Sequence, residues 1–210
     1  MSYSLSLTYS DFKKEVEELN RIVIKLSNNV VSIERDTHIE GCFIRLVVCW
    51  EAFSEEYFLR CMCTARTESK RQIKHLNSSF KNTNDAFKKL NTSRRDREKD
   101  YLDWLDYAAV KQRIDDFFRK NSRVQNLVEA PDKLYEIRII RNAIAHRSTS
   151  AIYKFENFVK DQLGYLSSLN PTTADLLIMK KRTSEKLVFL VYSDFFLSLS
   201  KKLTLRLIYI

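Results

Sequence analysis

The stretch Arg141-Asn142-Ala143-Ile144-Ala145-His146 gathers three side chains that can handle a phosphate. Arginine is a permanent cation with a planar fork of donors. Asparagine brings an amide, and histidine an imidazole that titrates near neutrality. On a helix, positions 141 and 146 stand about 7.5 Å apart along the axis. At about 100° per residue, Leu134, Ile137, Ile140 and Ile144 fall on one apolar stripe with Arg141 at its edge. From Arg141 round through Ala145, Arg138 and Asn142 to His146, a second stripe spans roughly 140°. Ala143 and Ala145 are small enough to admit another helix, so the second stripe has the character of a contact surface.

One chain contributes a single imidazole to this stripe. If two copies meet across a two-fold axis their stripes face each other. The pocket then holds two histidines with arginines from both copies, a sufficient set for cutting RNA without a metal. One imidazole takes the proton from the ribose 2′-OH and the other protonates the leaving 5′-oxygen. The arginines stabilise the extra negative charge on the pentavalent phosphate. Asn142 orients His146 or holds a phosphate oxygen. No cluster of carboxylates with metal-ligand character lies near in the sequence, so neither metal nor cofactor is expected.

Each of these residues also has an ordinary reading. A histidine at a helix C-terminus is stabilised by the dipole alone; Arg141 and Asn142 beside it favour catalysis. Arg138 is a substrate-binding cation or a surface residue. Glu51 and Glu55 are four apart on the most apolar helix, where they either orient the arginines across the helix packing or pair with Arg45 or a surface lysine. His38 and His75 have no partners nearby in sequence and read as surface or capping residues. Trp50 and Trp104 read as core residues, the alternative being an aromatic that stacks on a base.

The elements that must position this helix are helices too. Only two glycines and two prolines occur in 210 residues, far too few for the turns of a β-sandwich or a parallel α/β fold. The same deficit excludes a glycine-rich phosphate loop. Apolar residues make up 44%, enough for a sizeable core. The spacing predicts an amphipathic helix over 10–28, capped by Ser10 or Asp11, with Phe12, Val16, Leu19, Ile22 and Leu26 on one face. Thr37 and Glu40 fit a capping box opening a long buried helix to about residue 65. Further helices are expected at about 101–119, from Pro131 to near Ser148, from Ser148–Ser150 to Gly164, and from about Ser184 to the C-terminus. A single all-α domain over 1–210 is the expectation, with no internal repeat.

Segment 66–99 looks like an insertion. It carries eleven Lys/Arg against four Asp/Glu, a large share of the net +9, with loop chemistry at Asn77-Ser78-Ser79 and a short helix over 84–91. A basic patch of this kind suits a phosphate-rich partner or is simply a solvated loop. Met1 to Leu7 has neither a charged n-region nor a long apolar h-region. The longest clear apolar run, Leu187 to Tyr192, is far shorter than the ~18 residues of a membrane span. Cys42, Cys49, Cys61 and Cys63 contain no CxxC pair and make a poor zinc signature. Reduced, semi-buried thiols in a cytoplasmic protein, with no membrane partner, are expected.

With its flanks, Leu134-Tyr135-Glu136-Ile137-Arg138-Ile139-Ile140-Arg141-Asn142-Ala143-Ile144-Ala145-His146-Arg147-Ser148, the motif resembles the HEPN superfamily, whose signature is an arginine and a histidine separated by four to six residues. Here the gap is four. Trp50-Glu51-Ala52-Phe53 likewise resembles the branch named for its occurrence with RiboL-PSP proteins. The resemblance runs from about the second helix to the end. It implies a HEPN-like helical bundle and a homodimeric, metal-independent ribonuclease, commonly a toxin or anti-phage defence effector. Arg141 and His146 are the catalytic pair so implied, with Asn142 as the polar residue after the arginine. RNA is the implied substrate, and an antitoxin or defence-system component a further partner. The alternative is a HEPN-type module that binds RNA, nucleotide or protein without cleaving.

Overall fold

A computed structural model describes residues 5–63, 76, 79–92, 103–120, 122–163, 171–181 and 184–204. The elements are α1 (Leu5–Ser27), α2 (Ile33–Met62), α3 (Thr83–Thr92), α4 (Tyr107–Phe117), a 3-10 helix (Arg123–Val128), α5 (Pro131–His146), α6 (Thr149–Leu163), α7 (Thr173–Ile178) and α8 (Val188–Thr204). Among the described residues there is no strand, only one antiparallel bridge between Lys180 and Leu187. The fold is all-α, as the scarcity of turn residues requires. No described helix is long and apolar enough to cross a membrane.

Contacts divide the chain into two compact units. The first comprises Met1–Lys13, Trp50–Pro131 and Leu197–Ile210, and the second Lys14–Cys49 and Asp132–Phe196. The first is built on aromatics. Phe12 packs on Phe53 at 5.0 Å and Trp50 stacks on Phe53 at 5.7 Å. Phe58 meets Phe118 edge-on at 5.1 Å and Trp104 at 5.3 Å. Both tryptophans are buried, as expected of core residues. The second unit buries Val16 and Val23 of α1, Phe43 of α2, Ile137 and Ile140 of α5, and Phe189 of α8. Phe43 meets Phe189 and Tyr192 edge to face at 6.3 and 6.0 Å. Burying each such side chain contributes about 1.5–3 kcal/mol, with edge-on aromatic pairing adding to it.

Several boundaries differ from expectation. Helix α1 starts at Leu5, so Ser10 and Asp11 lie inside it and cap nothing. Its buried face runs Phe12, Val16, Leu19, Val23; Ile22, one position off, is 39% exposed. Helix α2 starts at Ile33, and Ser32 rather than Thr37 takes the capping role, its Oγ accepting from the Arg35 N–H at 3.1 Å. The Thr37 hydroxyl donates back to the Ile33 carbonyl at 2.8 Å, as an interior threonine does. The first half of α2, apolar nearly all round, is not buried all round, since Val48 is 44% exposed. Helix α4 begins at Tyr107, not 101: the Asp106 side chain accepts from the Ala109 N–H, leaving Trp104 and Leu105 buried ahead of the helix. Helix α8 begins at Val188 because Glu185, with φ of 58°, sits in the left-handed region of the turn before it. Helix α7 went unforeseen. In the 66–99 segment α3 matches the short helix expected there; residues 66–75, 77–78 and 93–99, like Gly164, lie outside the described residues.

Candidate functional site

The motif helix α5 opens with Pro131, which needs no N–H at a helix start. It is tied to α8 through Glu136, whose Oε2 accepts from the Tyr192 hydroxyl at 3.1 Å. Lys133 pairs with the same carboxylate and lies 5.5 Å from the centre of the Tyr192 ring. Burial, with the Glu136 carboxylate adding to it, holds the Tyr192 phenol far above its usual range, so it donates at any physiological pH. Leu134, Ile137, Ile139, Ile140 and Ala143 are buried. The core stripe is therefore wider than the wheel implied: Ile139 joins it, while Ile144 is only half-buried.

Helix α5 stops at His146 because Arg147 turns left-handed, with φ of 45°. Glycine normally takes such a position. The Arg147 side chain is held by Glu40, Nη2 to Oε2 at 3.2 Å, and Glu40 also accepts from the Thr173 hydroxyl. Ser148 then opens α6: its Oγ accepts from the Ala151 N–H at 3.3 Å and its carbonyl from the Ile152 N–H at 2.9 Å. Only Arg147 and Ser148 separate the two helices.

A cleft of about 300 Å³ opens along this corner. From α5 come Tyr135, Arg138, Ile139, Asn142 and His146. From the corner and α6 come Ser148, Ser150, Ala151 and Lys154. Arg138, Asn142 and His146 recur four apart, so one face of α5 presents all three. Two cationic side chains, an imidazole, an amide and two serines face a space that, among the described residues, no carboxylate lines. A second cleft of similar size, with Glu40 and Glu156 on its walls, lacks this single-sign character. His146 is exposed, and Arg138 and Asn142 are half-buried.

Arg141 does not line the cleft. It is half-buried beside it, and its Nη1 donates to Asn142 Oδ1 at 2.9 Å. The acceptor end of that amide is thereby engaged, and its Nδ2 donors are the end it can offer to a ligand. The structure thus brings Arg138, Asn142 and His146 together and links Arg141 to them through Asn142. Glu51 and Glu55 are half-buried on α2, belong to the first unit, and do not line the cleft. On the same helix, His38 Nδ1 lies 2.7 Å from the Glu34 carbonyl; His75 lies outside the described residues.

Sequence reasoning missed Tyr135, Ser150 and Lys154 as cleft residues. The signal was available in the shortness of the link. Ser150 and Lys154 are four apart just past a two-residue corner, and Tyr135 precedes Arg138 by three. All four cysteines are buried thiols outside any disulfide. Among the described residues, no group of three or more His, Cys, Asp or Glu side chains is arranged to hold a metal ion. No family model, curated protein or solved structure matches this chain.

Proposed function

We propose that this chain is a metal-independent endoribonuclease that works as a homodimer through α5, with a toxin or anti-phage defence role. The observation that carries the reading is the shared cleft: Arg138, Asn142 and His146 line one space with Lys154 and, among the described residues, no carboxylate. Its resemblance to the HEPN superfamily in the Arg141–His146 motif supports the same chemistry.

In the proposed reaction, His146 of one copy removes the proton from a ribose 2′-OH. The freed oxygen attacks the adjacent phosphorus and forms a cyclic 2′,3′-phosphate. The bond to the 5′-oxygen breaks, and the imidazole of a second copy protonates that leaving oxygen. Arg138 and the Asn142 amide, which Arg141 orients, stabilise the charge that builds on the phosphate. No oxidant, cofactor or metal enters the balance.

Purified protein is expected to cut unstructured RNA or tRNA in EDTA, leaving cyclic-phosphate and 5′-hydroxyl ends. His146→Ala should lower kcat by at least ~100-fold, the scale of losing a general base. If that variant cuts as fast as its parent, the assignment is wrong. One observation favours a second reading, a module that binds RNA without cutting it: a single copy brings one imidazole to the cleft. RNA binding that weakens with salt, in a protein that stays monomeric and turns nothing over, would select it.

A further inference from the structure

We infer that the cleft between α5 and α6 is a track for at least two consecutive nucleotides of a single strand, with Lys154 and Ser150 holding a phosphate beside the one at His146, and Tyr135 stacking on a base. The inference rests on reading this cleft as the RNA site; it adds the residues that choose the form of the RNA.

The length of the cleft is the first argument. Arg138 and His146 both line it and are eight residues apart on one helix, so its α5 wall extends about 12 Å. Groups spread along a wall of that length can meet successive positions of a chain as well as a single phosphate. The opposite wall is also built for anions: Lys154 and Ser150 stand on α6 with Ser148 just before it, and among the described residues no acidic side chain lines the cleft to repel a second phosphate. The third argument is Tyr135. It lines the same cleft, one turn before Arg138, and keeps 58% of its surface exposed. An exposed ring next to cations, in a cleft floored by the buried Ile139, is a stacking platform for a base. Bases are free to stack on such a platform only when they are not paired in a duplex, so the arrangement selects single strands.

The test separates binding from cutting. Full-length His146→Ala protein is titrated with a fluorescein-labelled unstructured RNA decamer, with unlabelled duplex RNA of equal length and uridine monophosphate as competitors. The decamer is expected to bind, with the duplex and the mononucleotide competing at least ~10-fold less well. Adding Tyr135→Ala should weaken decamer binding about 10-fold, while Tyr135→Phe, which keeps the ring, should not. Lys154→Gln should lower the slope of log affinity against log salt by about 0.7, and Lys154→Arg should restore it. Both side chains are exposed, and circular dichroism checks that each variant remains helical. Decamer binding unchanged by Tyr135→Ala and Lys154→Gln, or a duplex that competes equally, overturns the track. If the decamer binds as described but the parent protein cuts nothing, the track stands and the nuclease reading falls. If the parent cuts RNA and these two variants leave kcat and KM unchanged, the nuclease reading stands and the track falls.

Discussion

Arg141 and Asn142 are neighbours in sequence that act on each other rather than side by side: Nη1 of the first donates to Oδ1 of the second at 2.9 Å, and only the second lines the cleft. Any effect of Arg141 on a ligand there is transmitted in part through the orientation of that amide. Arg141→Lys and Asn142→Ala should each lower kcat/KM by about 10- to 100-fold, the range for losing one hydrogen bond to a charged group. Because the two residues share one interaction, the double variant should lose little more than either single one. Losses that multiply would show that they act independently. Asn142→Asp should be worse than Asn142→Ala, because it places the first carboxylate on the cleft wall.

The start of α2 gives a stability test. Ser32→Ala removes the oxygen that accepts from the Arg35 N–H and should cost about 1 kcal/mol. Thr37→Ala, inside the helix, should cost less or even stabilise, since alanine is the better interior residue. Denaturant titrations of the two variants compare them directly. Equal losses would contradict the helix start at Ile33.

The thiols should be inert while the chain is folded. Burial pushes Cys49 and Cys61 up to about 12 and also raises Cys42 and Cys63. At pH 8, a shift from about 9 to about 12 reduces the reactive thiolate roughly 1000-fold. A short pulse of a thiol-reactive reagent should therefore leave Cys49 and Cys61 unlabelled in native protein and label all four in guanidinium. Rapid native labelling of Cys61, which is wholly buried, would show that the first unit opens readily.

Glu15 sets a small pH dependence. The Cys49 thiol donates to its Oε2 at 2.9 Å, and together with Arg45 this holds the carboxyl below its ordinary value. A depressed carboxyl stabilises the fold above its unfolded pKa and loses that contribution as pH falls through the folded one. Glu15→Gln should therefore lower Tm at pH 7, with the gap to the parent closing below about pH 4. The pair is half-exposed, so the effect should stay under about 1 kcal/mol. A gap that widens in acid would reverse the sign.

The reading from sequence was strongest where one residue decides. Pro131 fixed the start of α5, the apolar spacing supplied most of its register, and the scarcity of glycine gave the all-α class. It failed where two residues compete for one role. Ser32 and Thr37 both suit a helix start, and only the packing of α2 decides between them. Ile22 and Val23 are equally apolar, and a rotation of 100° separates the buried one from the exposed one. The Thr172-x-x-Asp175 capping box that opens α7 was present in the sequence and overlooked. Half of the cleft was legible because it lies on one helix. The other half was not, because which face of α6 turns toward α5 depends on the left-handed backbone at Arg147, and no periodicity announces such a residue when it is not glycine.

That corner makes chain length a determinant in its own right. Adding one residue between His146 and Ser148 would break the two-residue link that sets which face of α6 turns toward α5. The place of Lys154 and Ser150 on the wall would change while every side chain kept its identity. Substitutions alone would not reveal such a change: an insertion of one, in a link of two.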